Sequence, residues 1–169
     1  MTRILTAVLF SLLFSGQVWA QASVTAQAFA EVIEALTATE TAQLNFGRFS
    51  PGVAGGEVII SPDGVKSAQG SVMLSEGTSS PGRFTITGAP DATFSIQLPE
   101  GPVQLLHQNS NQTMTVNEWT SDPLAGNSSG TLNEGFEIIS VGASLVVGSI
   151  ENNPVGIYTG SFSLTFAYN

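Results

Sequence analysis

The sequence contains no cysteine, one histidine and only four lysine or arginine residues among 169. Without cysteine, stability rests on packing and strand pairing, and neither a disulfide nor a thiolate metal site is available. Charged residues make up 10% of the chain, against about 25% in an ordinary soluble domain. Ser, Thr, Gly and Asn supply the polarity instead. This composition suits extended β structure with neutral exposed faces, in a protein whose neighbours are copies of itself. Beyond Arg3, only Arg48, Lys66 and Arg83 oppose thirteen acidic residues. A surface this acidic repels phosphate backbones and anionic bilayers, which argues against nucleic acid as a partner.

Long apolar runs are equally scarce. The one present, Ile4 to Phe14, follows Arg3 and precedes a polar stretch with small residues at Ala20 and Ala22. That is the charge, apolar core and cleavage pattern of a secretory signal peptide, assigned to residues 1–22 with cleavage after Ala20 or Ala22. The run is interrupted by Ser15, Gly16 and Gln17, short of the roughly 20 apolar residues a membrane span needs. The expectation is export through an inner membrane to the periplasm, cell surface or medium, with no direct membrane span. Residues 23–169 are long enough to bury the core of one domain.

Catalytic constellations are missing too. His107 is the sole histidine, and neither it nor Lys66 stands near a nucleophile motif such as Gly-x-Ser-x-Gly. Asp63, Asp91 and Asp122 are scattered, so no metal-ligand spacing emerges. Glu134 and Glu137 are the nearest thing to a carboxylate pair, but on a strand they point to opposite faces. Gly55-Gly56, Gly70 and Gly88 lack the Lys-Ser/Thr of a phosphate loop and read as turn or bulge glycines. Trp119 is expected either to pack on the edge of the fold or to offer a ligand platform. No catalytic, cofactor-binding or metal-binding residue is assigned, and no enzyme activity is expected.

What the sequence has in quantity is alternation. Every second residue is apolar in Leu44/Phe46, Val58/Ile60, Val72/Leu74, Phe84/Ile86, Phe94/Ile96/Leu98 and Met114/Val116. Phe136/Ile138 and Val141/Ala143/Leu145/Val147 continue the pattern. Each run predicts a strand with one buried and one wet face. Turn signals separate them, among them Pro62-Asp63-Gly64, Ser80-Pro81-Gly82 and Asn152-Asn153-Pro154. Short strands at this spacing predict an all-β, antiparallel, immunoglobulin-like sandwich. Residues 120–133, rich in Gly, Ser and Asn, read as a long exposed loop. Near the start, Val24, Ala26, Ala28, Ala30 and Val32 share the even face of a strand, whereas Phe29, Val32, Ile33 and Leu36 fit helical spacing, and both readings stand.

The chain closes on Gly156-Ile-Tyr158-Thr-Gly160-Ser-Phe162-Ser-Leu164-Thr-Phe166-Ala-Tyr168-Asn169. From Tyr158 on, even positions are apolar or glycine and odd ones small or polar, one face about 35 Å long at the usual rise. The glycine fourteen residues from the end and the penultimate tyrosine resemble the terminal strand of chaperone–usher pilins. The motifs Leu44-Asn45-Phe46-Gly47, Gly55-Gly56-Glu57-Val58, Phe84-Thr85-Ile86-Thr87-Gly88, Phe94-Ser95-Ile96-Gln97-Leu98-Pro99, Val141-Gly142-Ala143-Ser144-Leu145 and Gly156-Ile157-Tyr158-Thr159-Gly160 resemble the bacterial secreted family known as domain of unknown function 4402. The absence of a disulfide departs from many pilins.

The resemblance implies a pilin-like sandwich serving as a structural subunit of a fimbria-like or other surface filament of a Gram-negative bacterium. It implies a donor strand within residues 23–35, with Val24, Ala26, Ala28, Ala30 and Val32 as its apolar face. Tyr158, Phe162, Leu164, Phe166 and Tyr168 would form the assembly strand. The implied partners are copies of the chain, other filament subunits and a periplasmic chaperone. The alternative is a self-contained, monomeric secreted binding module for carbohydrate or an adhesin ligand, using Trp119 and residues 120–133.

Overall fold

The computed structural model describes residues 21–169; residues 1–20, with most of the predicted export signal, lie outside the described residues. Two units divide the chain, residues 1–32 and 33–169. In the first, residues 21–32 form neither helix nor strand, so both sequence-based expectations for this segment fail over those residues. Val24, Phe29 and Val32 there are 92%, 90% and 96% exposed. Four alanines and three larger apolar residues, exposed throughout, have no burial to offset the entropy of ordering.

Residues 33–169 form an all-β, antiparallel sandwich without a helix. Its spine is β11 (Phe136–Val147), twelve residues long. One edge of β11 pairs with β6 (Gly82–Thr87) along its first half and with β3 (Gly56–Ile60) along its second. The other edge pairs with β9 (Thr113–Asp122). β1 (Thr37–Ala42) extends this sheet beyond β6, and β4 (Lys66–Gly70) extends it beyond β3. β8 (Val103–His107) and β12 (Tyr158–Thr159) extend it beyond β9. A three-stranded sheet orders β10 (Gly126–Thr131), β7 (Thr93–Gln97) and β13 (Thr165–Tyr168). The short strands β2 (Phe49–Ser50) and β5 (Met73–Leu74) pair separately.

The two sheets enclose two neighbouring cores. The three-stranded sheet supplies Phe94 and Ile96, which meet Ile86, Ile139 and Val141 of the large sheet together with Leu132. The second core gathers Val58, Ile60, Met114, Val116, Leu145 and Val147 of the large sheet under Phe46 and Val72. Its cover comes from the connections around β2 and β5 instead of a full second sheet.

The alternating runs mark the inner faces at Val58/Ile60, Phe94/Ile96, Met114/Val116 and Val141/Leu145/Val147, all buried. Leu74 departs from the pattern at 41% exposed, and so do Phe136 and Ile138 at 47% and 50%. Phe136 and Ile138 pair opposite Thr87 and Thr85 on the outer face, while Ile139 sets the inward parity of β11. The expected loop over 120–133 is also corrected, because β9 runs on to Asp122 and β10 occupies Gly126–Thr131. β10 has no apolar residue to betray it. Its pairing with β7 slips between Gly126 and Gly130, where Ser129 Oγ accepts from the Ile96 amide at 3.0 Å and stands in for a backbone partner.

Gly142 is the tightest crossing of β11 and the strand beside it. A Cβ there would strike the Ile60 carbonyl and lie 2.9 Å from the Pro62 nitrogen, both backbone atoms that cannot rotate away. Gly142→Ala is therefore expected to lower stability by about 1–3 kcal/mol, read as a lower urea midpoint with unchanged slope.

Candidate functional site

The second core is open to one side. Between residues 43–51 and residues 153–162 lies a cleft of about 1120 Å³. Its floor is Val103 and Leu105 of β8, Met114 and Val116 of β9, and Leu145 of β11. This exceeds the roughly 300–1,000 Å³ of a small-molecule pocket; in its floor Met114, Val116 and Leu145 are buried and Val103 and Leu105 half-buried. Glu40, Arg48 and Glu76 stand among its polar lining residues.

The first wall, Leu44 to Ser50, is tied down by polar bonds. The Asn45 amide and carbonyl bridge to Ser80 at 2.8 and 2.9 Å, and Lys66 Nζ donates to the Arg48 carbonyl at 2.8 Å. Partial burial in that contact lowers the Lys66 pKa from its ordinary value, since desolvation disfavours the ammonium. The second wall is held by His107, buried at the end of β8. Its Nδ1 lies 2.6 Å from Ser110 Oγ and accepts from the Asn109 amide, while Nε2 faces the Val155 carbonyl at 3.3 Å. The ring stands edge-on to Tyr158 at 4.9 Å, and Tyr158 donates from its hydroxyl to Pro154. His107 is thus a structural latch of the cleft wall.

Trp119 lies where the two cores meet and packs against both. Met114 and Val116 set an even inward parity, which would put Glu118 inside. A bulge prevents this: Thr120 pairs with Gly142 and Asn117 with Ser144, so Glu118 and Trp119 together oppose Ala143. Glu118 takes the extra turn at φ 48° and Trp119 swings inward. Its Nε1 donates to the Gly101 carbonyl at 3.3 Å and its ring sits 4.7 Å from Phe162. The sequence signal was the shift of inward parity from Val116 to Trp119 and Ser121.

The closing segment splits between the sheets. Tyr158 belongs to β12 and packs on the second core, whereas Phe162, Leu164, Phe166 and Tyr168 pack on the first. Residues 160–164, lying between β12 and β13, cross from one sheet to the other, so the expected single strand is two short ones. Its alternation survives: the five even side chains are half-buried and their odd neighbours exposed. Among the described residues, β12 pairs only with Leu106 and His107; beyond it the backbone runs on beside β8, with Gly160 close against the Gln104 carbonyl. β13 likewise pairs on one side only.

The carboxylates are spread out. Glu134 and Gly135, at φ 53° and 86°, form the turn before β11, and Glu137 accepts from Asn133 Nδ2 at 3.2 Å. Asp63 accepts from the Ser61 hydroxyl, which lowers its pKa. Glu57 accepts from Ser144 Oγ at 3.1 Å on the outer face of the large sheet. Among the described residues no three His, Asp or Glu side chains are grouped to hold a metal ion, and no helix is long and apolar enough to cross a membrane.

The fold and the cleft define an antiparallel β-sandwich whose second core lacks part of its cover. The family described as domain of unknown function (DUF4402) matches residues 36–168, and the chain belongs to that family. Neither a curated protein nor a solved structure matches it.

Proposed function

We propose that this protein is an exported structural subunit of a fimbria-like surface filament, joined copy to copy by strand complementation. The observation that carries the reading is the pairing of an apolar cleft with an apolar segment that has no surface of its own. The cleft is floored by half-buried Val103 and Leu105 over the buried core residues Met114, Val116 and Leu145. Residues 21–32 supply Val24, Phe29 and Val32 in full exposure. An extended segment entering the cleft finds apolar surface for its alternate side chains, as in strand addition.

Burying Val24, Ala26, Ala28, Ala30 and Val32 at about 0.5–3 kcal/mol each gives a gross gain on the order of 5–8 kcal/mol. That approaches the roughly 5–15 kcal/mol of a whole domain. A segment this valuable in trans turns a sandwich with an incomplete cover into a link of a chain. Other filament subunits and a periplasmic chaperone are partners that would meet the same cleft. The function requires no catalysis, and the protein is read as a non-enzyme.

The test removes residues 23–35 from the exported chain and returns them as a peptide. The shortened domain is expected to melt lower than the full, polymerised chain and to regain stability with the peptide, by RT ln(1 + [L]/Kd). A shortened domain as stable as the parent and indifferent to the peptide would overturn the reading. So would a monomer whose carbohydrate binding is lost in Trp119→Ala, the behaviour of a self-contained binding module.

A further inference from the structure

The hydroxyl of Tyr168 has two partners that packing alone does not require. It accepts from the Ala89 amide at 2.7 Å and donates to the Glu34 carbonyl at 2.9 Å, across 134 residues of sequence. A phenol has one proton to give and lone pairs to receive, so both bonds are made at once. The site is built for that oxygen: a Cβ on Gly88 would collide with it, and the Gly88 amide is held by the Gly135 carbonyl at 2.9 Å. The Tyr168 ring packs on the first core, and its backbone pairs with Phe94.

Glu34 stands three residues before β1, at the end of the 23–35 segment and past Val32, the last residue of the donor face. Leu36, between them, packs on the same core. The chain is therefore gripped at residue 34, before its first strand pair, and released upstream of it.

We infer that Tyr168 is a positioning residue that clamps the root of the donor segment and so fixes the geometry with which each subunit is set on the next. This inference rests on the assembly reading above. A donor of about a dozen residues seated in a neighbouring cleft leaves few residues to span the gap between domains. If residues 34–36 were loose as well, the link would lengthen and the angle between successive subunits would wander. The clamp removes those residues from the link without touching the cleft that receives the donor.

The test is Tyr168→Phe in the full exported chain, which keeps the ring in the core and deletes only the oxygen. Amide exchange at Ala89 and over residues 33–37 is expected to quicken at least tenfold. Affinity of a domain lacking residues 23–32, which keeps Glu34, for a peptide of residues 23–32 should stay within about twofold, a split that general loosening of the fold would not give. In electron micrographs the spread of angles between neighbouring subunits should at least double. Gly88→Ala, whose Cβ claims the space of the hydroxyl, should reproduce the exchange result. Unchanged exchange at both places, or filaments as regular as the parent's, would overturn the clamp while leaving strand complementation intact. If the parent chain itself neither polymerises nor binds the peptide, the assembly reading fails, and the exchange measurement alone still decides whether the clamp exists.

Discussion

Phe94→Ala is expected to destabilise the domain by about 3–5 kcal/mol, enough to leave a sandwich of ordinary stability close to unfolding. Phe94 is fully buried at 0% exposure and is the largest side chain so enclosed. Its ring lies against Gly130, where an added Cβ would sit 3.0 Å from Cζ, so the backbone of β10 has closed directly onto it. On the other side its backbone pairs with Tyr168. The cavity left by alanine is bounded by strand backbone on one face and by Ile86 and Ile139 on the opposite sheet. None of these can collapse inward without breaking register, so the full cavity cost remains. Urea unfolding should show a sharply lower midpoint with an unchanged slope. A loss below about 1.5 kcal/mol would mean the site relaxes freely and that the three-stranded sheet is looser than its pairing implies.

The inner faces were legible in the sequence because a period of two survives wherever a strand has one dry side. Val58/Ile60, Phe94/Ile96 and Met114/Val116 needed no other information. Strands without apolar residues left no such trace. β1, Thr-Ala-Thr-Glu-Thr-Ala, and β10, Gly-Asn-Ser-Ser-Gly-Thr, are held by pairing to β6 and β7, a long-range fact. Parity also fails where the strand changes step, as at Glu118, and where an apolar pair faces outward, as at Phe136 and Ile138. The closing segment was legible as an apolar face but not as two strands in different sheets. That division depends on which edges β8 and β7 leave open. The cleft was illegible for a deeper reason. It is an absence, defined by what leaves Val103 and Leu105 only half-buried, and no local pattern records a missing neighbour.

That absence can be tested on a single strand. Leu105→Asp is expected to reduce affinity for the residue 23–35 peptide at least a hundredfold, about 2.8 kcal/mol at 1.4 kcal/mol per tenfold. Leu105 lies on the cleft floor, half-buried and directly opposite Met114. In the empty cleft an aspartate there keeps access to water, so the domain should fold with its far-ultraviolet spectrum intact. Once the donor covers it, the carboxylate loses that water and gains no donor-strand partner, since the face offered is valine and alanine. Leu106→Asp is the matched control, one residue along β8 and therefore on the opposite face, 51% exposed and outside the cleft. It carries the same charge on the same strand and should shift peptide affinity less than twofold. If the two substitutions weakened binding equally, the effect would be a general one of charge on an already acidic protein, and the cleft would not be the acceptor. A hundredfold gap between adjacent positions is the signature of a seated strand, because only a face-specific contact reads the alternation of β8.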